Sequence, residues 1–263
     1  MNKTSLTSPR LGGSSDIQQS SPEWGRTGGT FKDYLEKHGF ERFEPKAVLF
    51  DMDGVLYDSM PHHAIAWQRS MASFGIHMTE ADAYATEGAR GIDTIRNMVL
   101  QQKGEVITLE RAQEMYDEKT RQFHALGEAK VMPDVKELME QMHRQGLSIG
   151  VVTGSGQRPL INRLLTDFEE YLDEQHIVTA YDVSRGKPNP DPYLMGMKKA
   201  GVEPWQTFVV ENAPLGVQAG VAAGAFTIAV NTGPLPNEVL ASKGADLLFS
   251  KMTDLAEQWD GLF

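Results

Sequence analysis

The spacing of apolar and polar positions changes along the chain, and the changes separate two kinds of element. From Ala47 onward, "AVLF", "LSIGVVT", "HIVTAY", "TFVVEN", "AFTIAV" and "ADLLF" are short apolar runs, dense in β-branched residues and with little polar alternation. Strands buried on both faces of a sheet read this way. Between them the period lengthens to that of helices. One helix runs from Asp134 to Gln145 and is closed by Gly146; another opens at Asp191, has Pro192 in its first turn and stops before Gly201. Strands alternating with helices predict an α/β fold with a doubly wound, Rossmann-like parallel sheet.

Residues 61–130 break that alternation with three helical stripes in succession. Trp67, Met71 and Phe74 form the first, Ile92, Ile95 and Val99 the second, and Leu109, Ala112, Met115, Tyr116 and Phe123 the third. Thr79 and Asp82 have the spacing of a helix start with a shortened capping box. An all-helical insert after the first strand predicts a small cap over residues 61–130, set on an α/β core of residues 45–60 and 131–263. Residues 1–30 are rich in Ser, Gly, Thr and Pro, with too few large apolar side chains to offset the entropy of ordering. Residues 1–44 are therefore expected to be a disordered or weakly ordered extension, in which Phe31, Tyr34 and Leu35 can form a short helix packed on the body. The final "DLAEQWDGLF" reads as a closing amphipathic helix.

Charge narrows the class of partner. A formal net charge of -11 argues against a broad electrostatic footprint for nucleic acid or an anionic membrane. An anionic substrate then needs a local cation. The 263 residues include no cysteine, so neither disulfides nor thiolate metal sites exist, which fits a reducing compartment. No apolar run reaches the ~18 residues of a membrane span, and the opening segment lacks the apolar stretch of a secretory signal. The expectation is a cytoplasmic monomer with neither nucleic-acid nor membrane partners.

Ligands of open parallel sheets sit beyond the carboxyl ends of the strands, so the polar residues that end the predicted strands are the candidates for chemistry. Strand one ends at Asp51 and Asp53, in "AVLFDMDGVLYDS". The second ends at Thr153 with Gly154 and Ser155, in "VVTGSGQ"; a loop supplies Lys187 and Asn189, in "SRGKPNPDPY"; a later strand ends at Glu211 and Asn212, in "FVVENAPLG". Carboxylate and amide oxygens suit a hard cation such as Mg²⁺ that bridges to phosphate. Thr153 and the backbone N–H groups of residues 154–156 can donate to phosphate oxygens, and Lys187 can neutralise their charge. Thr153 has a second reading as a helix N-cap, and Asn189 as a support of its own loop.

These four segments, in this order, resemble the motifs of the haloacid dehalogenase superfamily of phosphohydrolases, in its β-phosphoglucomutase-like branch with a helical cap. The resemblance covers residues 46–249 and implies that Asp51 is the nucleophile that becomes an aspartyl phosphate and Asp53 the general acid/base. It implies a Mg²⁺ set of Asp51, Asp53, Glu211 and Asn212, and a phosphate set of Thr153, Gly154, Ser155, Lys187 and Asn189. Members specialised in dehalogenation lack the second aspartate, so Asp53 favours phosphoryl chemistry. To carry a proton, Asp53 needs a pKa above the ordinary ~3.9; the Asp51 charge pushes it up while a metal opposes.

Two departures from the branch bear on substrate. Motif four often carries two acids, and here the second is Asn212. In the cap segment "YATEGARGIDTI", the positions that hold cations in sugar-phosphate mutases are Glu87 and Gly91, with Arg90 adjacent. Glu87 would repel the second phosphate of a sugar bisphosphate unless a cation lay between. The combination of Glu87, Asn212 and "VVTGSGQ" is most similar to the bacterial inorganic pyrophosphatases of this superfamily. Hydrolysis of pyrophosphate is the expectation, with Glu87 contacting metal-bound substrate. β-Phosphoglucomutase and small sugar-phosphate phosphatase are the alternatives, and a non-catalytic phosphate-binding regulator is a third class. His63, on the first cap helix, is either a helix-end residue or an approach to the site.

Overall fold

A computed structural model describes residues 31–262. The strands are β1 (Ala47–Phe50), β2 (Ser148–Val152), β3 (Ile177–Val178), β4 (Thr207–Glu211), β5 (Phe226–Val230) and β6 (Leu247–Phe249). All six apolar runs of the sequence are therefore strands. They form one parallel sheet in the order β3-β2-β1-β4-β5-β6. β1 lies between β2 and β4, with Ala47 opposite Ser148 on one side and Thr207 on the other. The chain winds outward from β1 through β2 to β3, then returns to lay β4 on the other side of β1. The winding reverses at that pair, and the crevice at the carboxyl ends of β1 and β4 is the natural ligand site of such a sheet.

The helices are α1 (Phe31–His38), α2 (Met60–Ser73), α3 (Glu80–Ala85), α4 (Gly91–Lys103), α5 (Leu109–His124), α6 (Val135–Arg144), α7 (Arg158–Asp167), α8 (Asp191–Ala200), α9 (Pro214–Ala222), α10 (Asn237–Ala241) and α11 (Met252–Gln258). Alternation within the strands divides the sheet's two faces. Val48, Phe50, Ile149, Val151, Phe208 and Val210 pack with Leu138 of α6 and Leu255 of α11. Leu49, Val152 and Val209 meet Tyr193 and Met197 of α8 and Ala219 of α9 on the opposite face. Burial on both faces is why these strands read as unbroken apolar runs.

Between β1 and β2 the helices α2 to α5 form a separate cluster, in which Trp67, Met71, Ile95, Val99, Ala112 and Met115 are buried together. Thr79 caps α3 through a capping box with Asp82, as the spacing predicts. Leu109 departs from its stripe: it is 60% exposed at the first turn of α5, before the helix reaches its apolar neighbours. Phe123, at the other end of α5, leaves the cluster and stacks 4.3 Å from the His63 ring.

The expected weak order of residues 1–44 is corrected for residues 31–44. Tyr34 is buried and its hydroxyl donates to Gly224 O at 2.7 Å. Phe31 and Phe43 lie 4.7 and 4.9 Å from the rings of Phe226 and Phe208, covering the start of the sheet. Aromatic burial on this scale offsets the ordering entropy of a short segment. The rest of that expectation, over residues 1–30, lies outside the described residues.

Candidate active site

Asp51 follows β1 directly, and its backbone N–H donates to Val210 O at 3.0 Å, which ties it to β4. Lys187 Nζ donates to Asp51 Oδ1 and Glu211 Oε1, each at 2.6 Å, and to Val152 O at 3.1 Å. All three ionisable side chains are buried. Burial favours a neutral lysine, but Asp51 and Glu211 outweigh it, and the Lys187 pKa is raised. Burial also pushes the Asp51 carboxyl well above its ordinary range, against the pull of Lys187.

Glu211 is expected among the metal ligands, and here both of its oxygens are also held by groups of the protein. Oε1 already accepts from Lys187 and from the Tyr193 hydroxyl at 2.8 Å, while Oε2 accepts the N–H groups of Asn212 and Ala213 at 3.0 and 3.1 Å. With both oxygens committed, Glu211 acts as the anchor of Lys187 and of the turn after β4. Asn212 is the opposite case, because its Oδ1 is buried without a hydrogen-bond partner. A buried acceptor left bare is costly. Its amide nitrogen rests against Gly54, where an added Cβ would lie 2.0 Å away, and Gly54 also has φ +83°. Only glycine fits there.

Asp53 points toward the helical cluster. Its Oδ1 accepts from Ser59 Oγ at 2.6 Å and meets His63 Nε2 at 3.2 Å; on the other side of that ring, His63 Nδ1 lies 2.7 Å from Lys119 Nζ. Lys119 is buried with its ammonium 5.2 Å from the ring centres of both Trp67 and Phe123. Desolvation lowers its pKa, opposed by Glu87 and Asp53. The raised Asp53 pKa expected from the Asp51 charge is also corrected. Burial does act upward, but His63 and Ser59 outweigh it and hold Asp53 at about 2.

These groups line a partly open pocket of about 50 Å³, bounded by Asp51, Asp53, Gly154 and Ser155 below and by Glu87 and Lys119 above. Burial raises the Glu87 pKa, against the pull of His63 and Lys119. Thr153 is buried behind this wall, where its Oγ1 accepts from Ser155 N at 3.0 Å and shapes the turn. It is not the cap of the following helix, which begins at Arg158 after Gln157. Asn189 does not reach the cavity: its Nδ2 and N–H both donate to Gly186 O, supporting the loop that carries Lys187. Across the rim, Arg90 Nη1 donates to Ser184 O at 3.2 Å and His124 Nε2 meets Gln157 Oε1 at 2.9 Å.

Residues 48–230 match the family of haloacid dehalogenase-like hydrolases. The chain belongs to that family. Among its relatives, hexitol phosphatase A of Escherichia coli is 34% identical over 74% of this chain and 88% of its own length. β-Phosphoglucomutase of Bacillus subtilis is 26% identical over 82% and 96%. A solved structure described as "Putative beta-phosphoglucomutase from Bacteroides vulgatus" is 47% identical, superposes with a TM-score of 0.84, and is matched over 88% of this chain and 94% of that one. The relatives named here are sugar-phosphate enzymes, and none is a pyrophosphatase.

The structure also supplies members of this haloacid dehalogenase-like site that the sequence reading left out. Tyr193 lies inside the segment "GKPNPDPY", and its role depends on the fold bringing α8 under β4. Ser59 sits at the end of the "DMDGVLYDS" segment. Lys119 did leave a signal, since a lysine interrupts the apolar stripe of Ala112, Met115, Tyr116 and Phe123 at helical spacing. A cation on the buried face of a helix needs a partner.

Proposed function

We propose that the chain is a Mg²⁺-dependent phosphohydrolase that works through an aspartyl phosphate on Asp51 and hydrolyses inorganic pyrophosphate. The observation that carries the substrate is the cavity. A single water needs about 10–15 Å³ of such space, so about 50 Å³ holds only a few waters. That suits a second phosphate better than a hexose.

The residues present fit the metal. Asp51, Asp53, Glu211 and the bare amide oxygen of Asn212 would hold it, and oxygen donors of this kind match a cation that also keeps waters. When bound, it supplies Lewis-acid stabilisation of charge on the phosphoryl oxygens. Asp51 attacks phosphorus, the bond to the bridging oxygen breaks, and the leaving phosphate takes a proton from Asp53. Asp53 then accepts a proton from the water that opens the aspartyl phosphate. In the free protein Asp53 is ionised and hydrogen-bonded to His63; an anionic substrate beside it raises its pKa and lets it take the acid role. Lys187 orients Asp51 and offsets its charge. Glu87 reads metal-bound pyrophosphate from the cap, proposed to span residues 61–130 on a core of residues 45–60 and 131–263.

A second reading, hydrolysis of a small sugar phosphate, is supported by the names of the relatives. A β-phosphoglucomutase is less well supported, because an acid stands where the second phosphate of a sugar bisphosphate would need a cation. Phosphate release with Mg²⁺, comparing pyrophosphate, glucose phosphates and an aryl phosphate by kcat/KM, tests the reading. Pyrophosphate should lead, Asp51→Asn should abolish release from every substrate, and Glu87→Ala should harm pyrophosphate far more than aryl phosphate. Higher kcat/KM for a glucose phosphate, or equal losses in Glu87→Ala, would overturn the pyrophosphate assignment.

A further inference from the structure

The turn that carries Glu87 meets the sheet domain's loops at both of its ends. It joins α3 to α4 over residues 86–90 and is bonded within itself: the Glu87 N–H donates to Tyr84 O at 3.4 Å and the Ala89 N–H to Thr86 O at 3.3 Å. Before Glu87, the Tyr84 ring is buried against Gly233, where an added Cβ would lie 2.6 Å from both Cδ1 and Cε1. After it, Arg90 Nη1 donates to Ser184 O at 3.2 Å, and a Cβ added at Gly186 would fall 3.0 Å from Arg90 Cγ. Neither Gly186 nor Gly233 is among the glycines with positive φ. Close approach of the two side chains, and not backbone conformation, therefore favours glycine at both places. Arg90 Nε also donates to Asp93 Oδ2 at 2.7 Å, which orients the guanidinium, so this cation beside Glu87 is engaged by the protein.

The two contacts lead to different parts of the site. Thr232 Oγ1, next to Gly233, donates to Gly54 O at 2.7 Å and ties the Tyr84 contact to the turn that follows Asp53. Gly186 directly precedes Lys187. Between the two, Gly88 rests on the lysine stem: it has φ +85°, and its Cβ position lies 3.3 Å from Lys187 Cδ and 3.5 Å from Gly216 N. We infer that Tyr84 and Arg90 are positioning residues that fix Glu87 over the pocket, one referenced to the Asp53 turn and the other to the Lys187 loop. The inference rests on the reading of Glu87 given above and names what holds that carboxylate in place. A turn fastened at one end pivots about it, and a displaced positioning group loses the geometry that binding and rate depend on.

Amide hydrogen exchange in the intact chain reads these contacts without substrate or metal. Arg90→Met, Gly186→Val and Tyr84→Leu should each speed exchange across residues 86–90 by about fivefold or more, and Arg90→Lys, which keeps a donor, should restore most of the protection. Unchanged exchange in both Arg90→Met and Gly186→Val would overturn the inference, as would an equal acceleration throughout α5 in Arg90→Met, which marks general loosening. Kinetics of the Mg²⁺-loaded protein then ask whether Arg90 acts through Glu87. Arg90→Met should lower kcat/KM for pyrophosphate about fivefold, leave that for an aryl phosphate within about twofold, and add nothing in a Glu87→Ala background. Losses that multiply in the double variant would show that Arg90 does not work through Glu87. Failure of the underlying reading is seen separately, as equal losses on the two substrates in Glu87→Ala alone, with the exchange result still deciding whether the turn is held as described.

Discussion

Two charge clusters, one buried and one half-buried, face each other across the cavity, and they differ in what assembles them. Asp51, Lys187 and Glu211 come from the ends of β1 and β4 and from the loop leading into α8, and Tyr193 comes from α8 itself. Each bond within this cluster is made by the sheet and its crossovers. Asp53, His63, Lys119 and Glu87 come from both sides of the cavity, so they form a cluster only while the helices α2 to α5 sit on the sheet. The first arrangement is a scaffold that fixes an oxygen. The second depends on how those helices meet the sheet.

That contrast predicts stability effects on one side and rate effects on the other. The largest expected effect is in the scaffold. Lys187→Ala leaves two buried carboxylates without their cation and should destabilise the protein by about 3–5 kcal/mol in urea unfolding. A loss under about 1 kcal/mol, the range of exposed pairs, would mean that the cluster is not the scaffold described.

On the other side, Lys119→Met keeps the volume between Trp67 and Phe123 while removing a buried charge. It should lower kcat/KM by roughly 10²-fold, with a smaller loss of unfolding free energy than Lys187→Ala, because the Asp53 and Glu87 carboxylates it leaves are only half-buried. If it instead unfolded as readily as Lys187→Ala, both clusters would be structural and the distinction would fail.

The smallest effect concerns acid stability. The folded pKa of Asp53, about 2, lies below the ordinary value of 3.8. The stabilisation from this group is therefore fully present above about pH 4 and is lost as the pH falls toward 2. A shift of that size corresponds to roughly 2 kcal/mol. In urea titrations with a chelator present, His63→Ala should be less stable than wild type at pH 5, and the gap should narrow at pH 3. A gap independent of pH would mean that His63 does not hold the Asp53 charge.

Much of the core was legible because its constraints are local. A strand buried on both faces must be apolar throughout, so "AVLF" and "TFVVE" could be identified from composition alone, and the acids that end them marked the crevice. The helices α2 to α5 were less legible. Leu109 matched the helical period but is exposed, because periodicity gives a face without giving the neighbour that covers it. Lys119 interrupts an apolar stripe, but its spacing does not name the Trp67, Phe123 and His63 that surround it.

The sequence by itself determined the order of strands and helices, the placement of Asp51 and Asp53 after β1, and the arrival of Lys187, Glu211 and Asn212 at the same sheet edge. Local patterns carry this information, since burial and backbone conformation act residue by residue. Only the tertiary structure decided how those groups divide their tasks. It saturated both oxygens of Glu211 and left the Asn212 oxygen bare, and it set the Asp53 pKa low where the Asp51 charge alone predicts it high. Each outcome depends on distances between residues far apart in the chain. Electrostatic and hydrogen-bond energies follow those distances and not the spacing along the sequence.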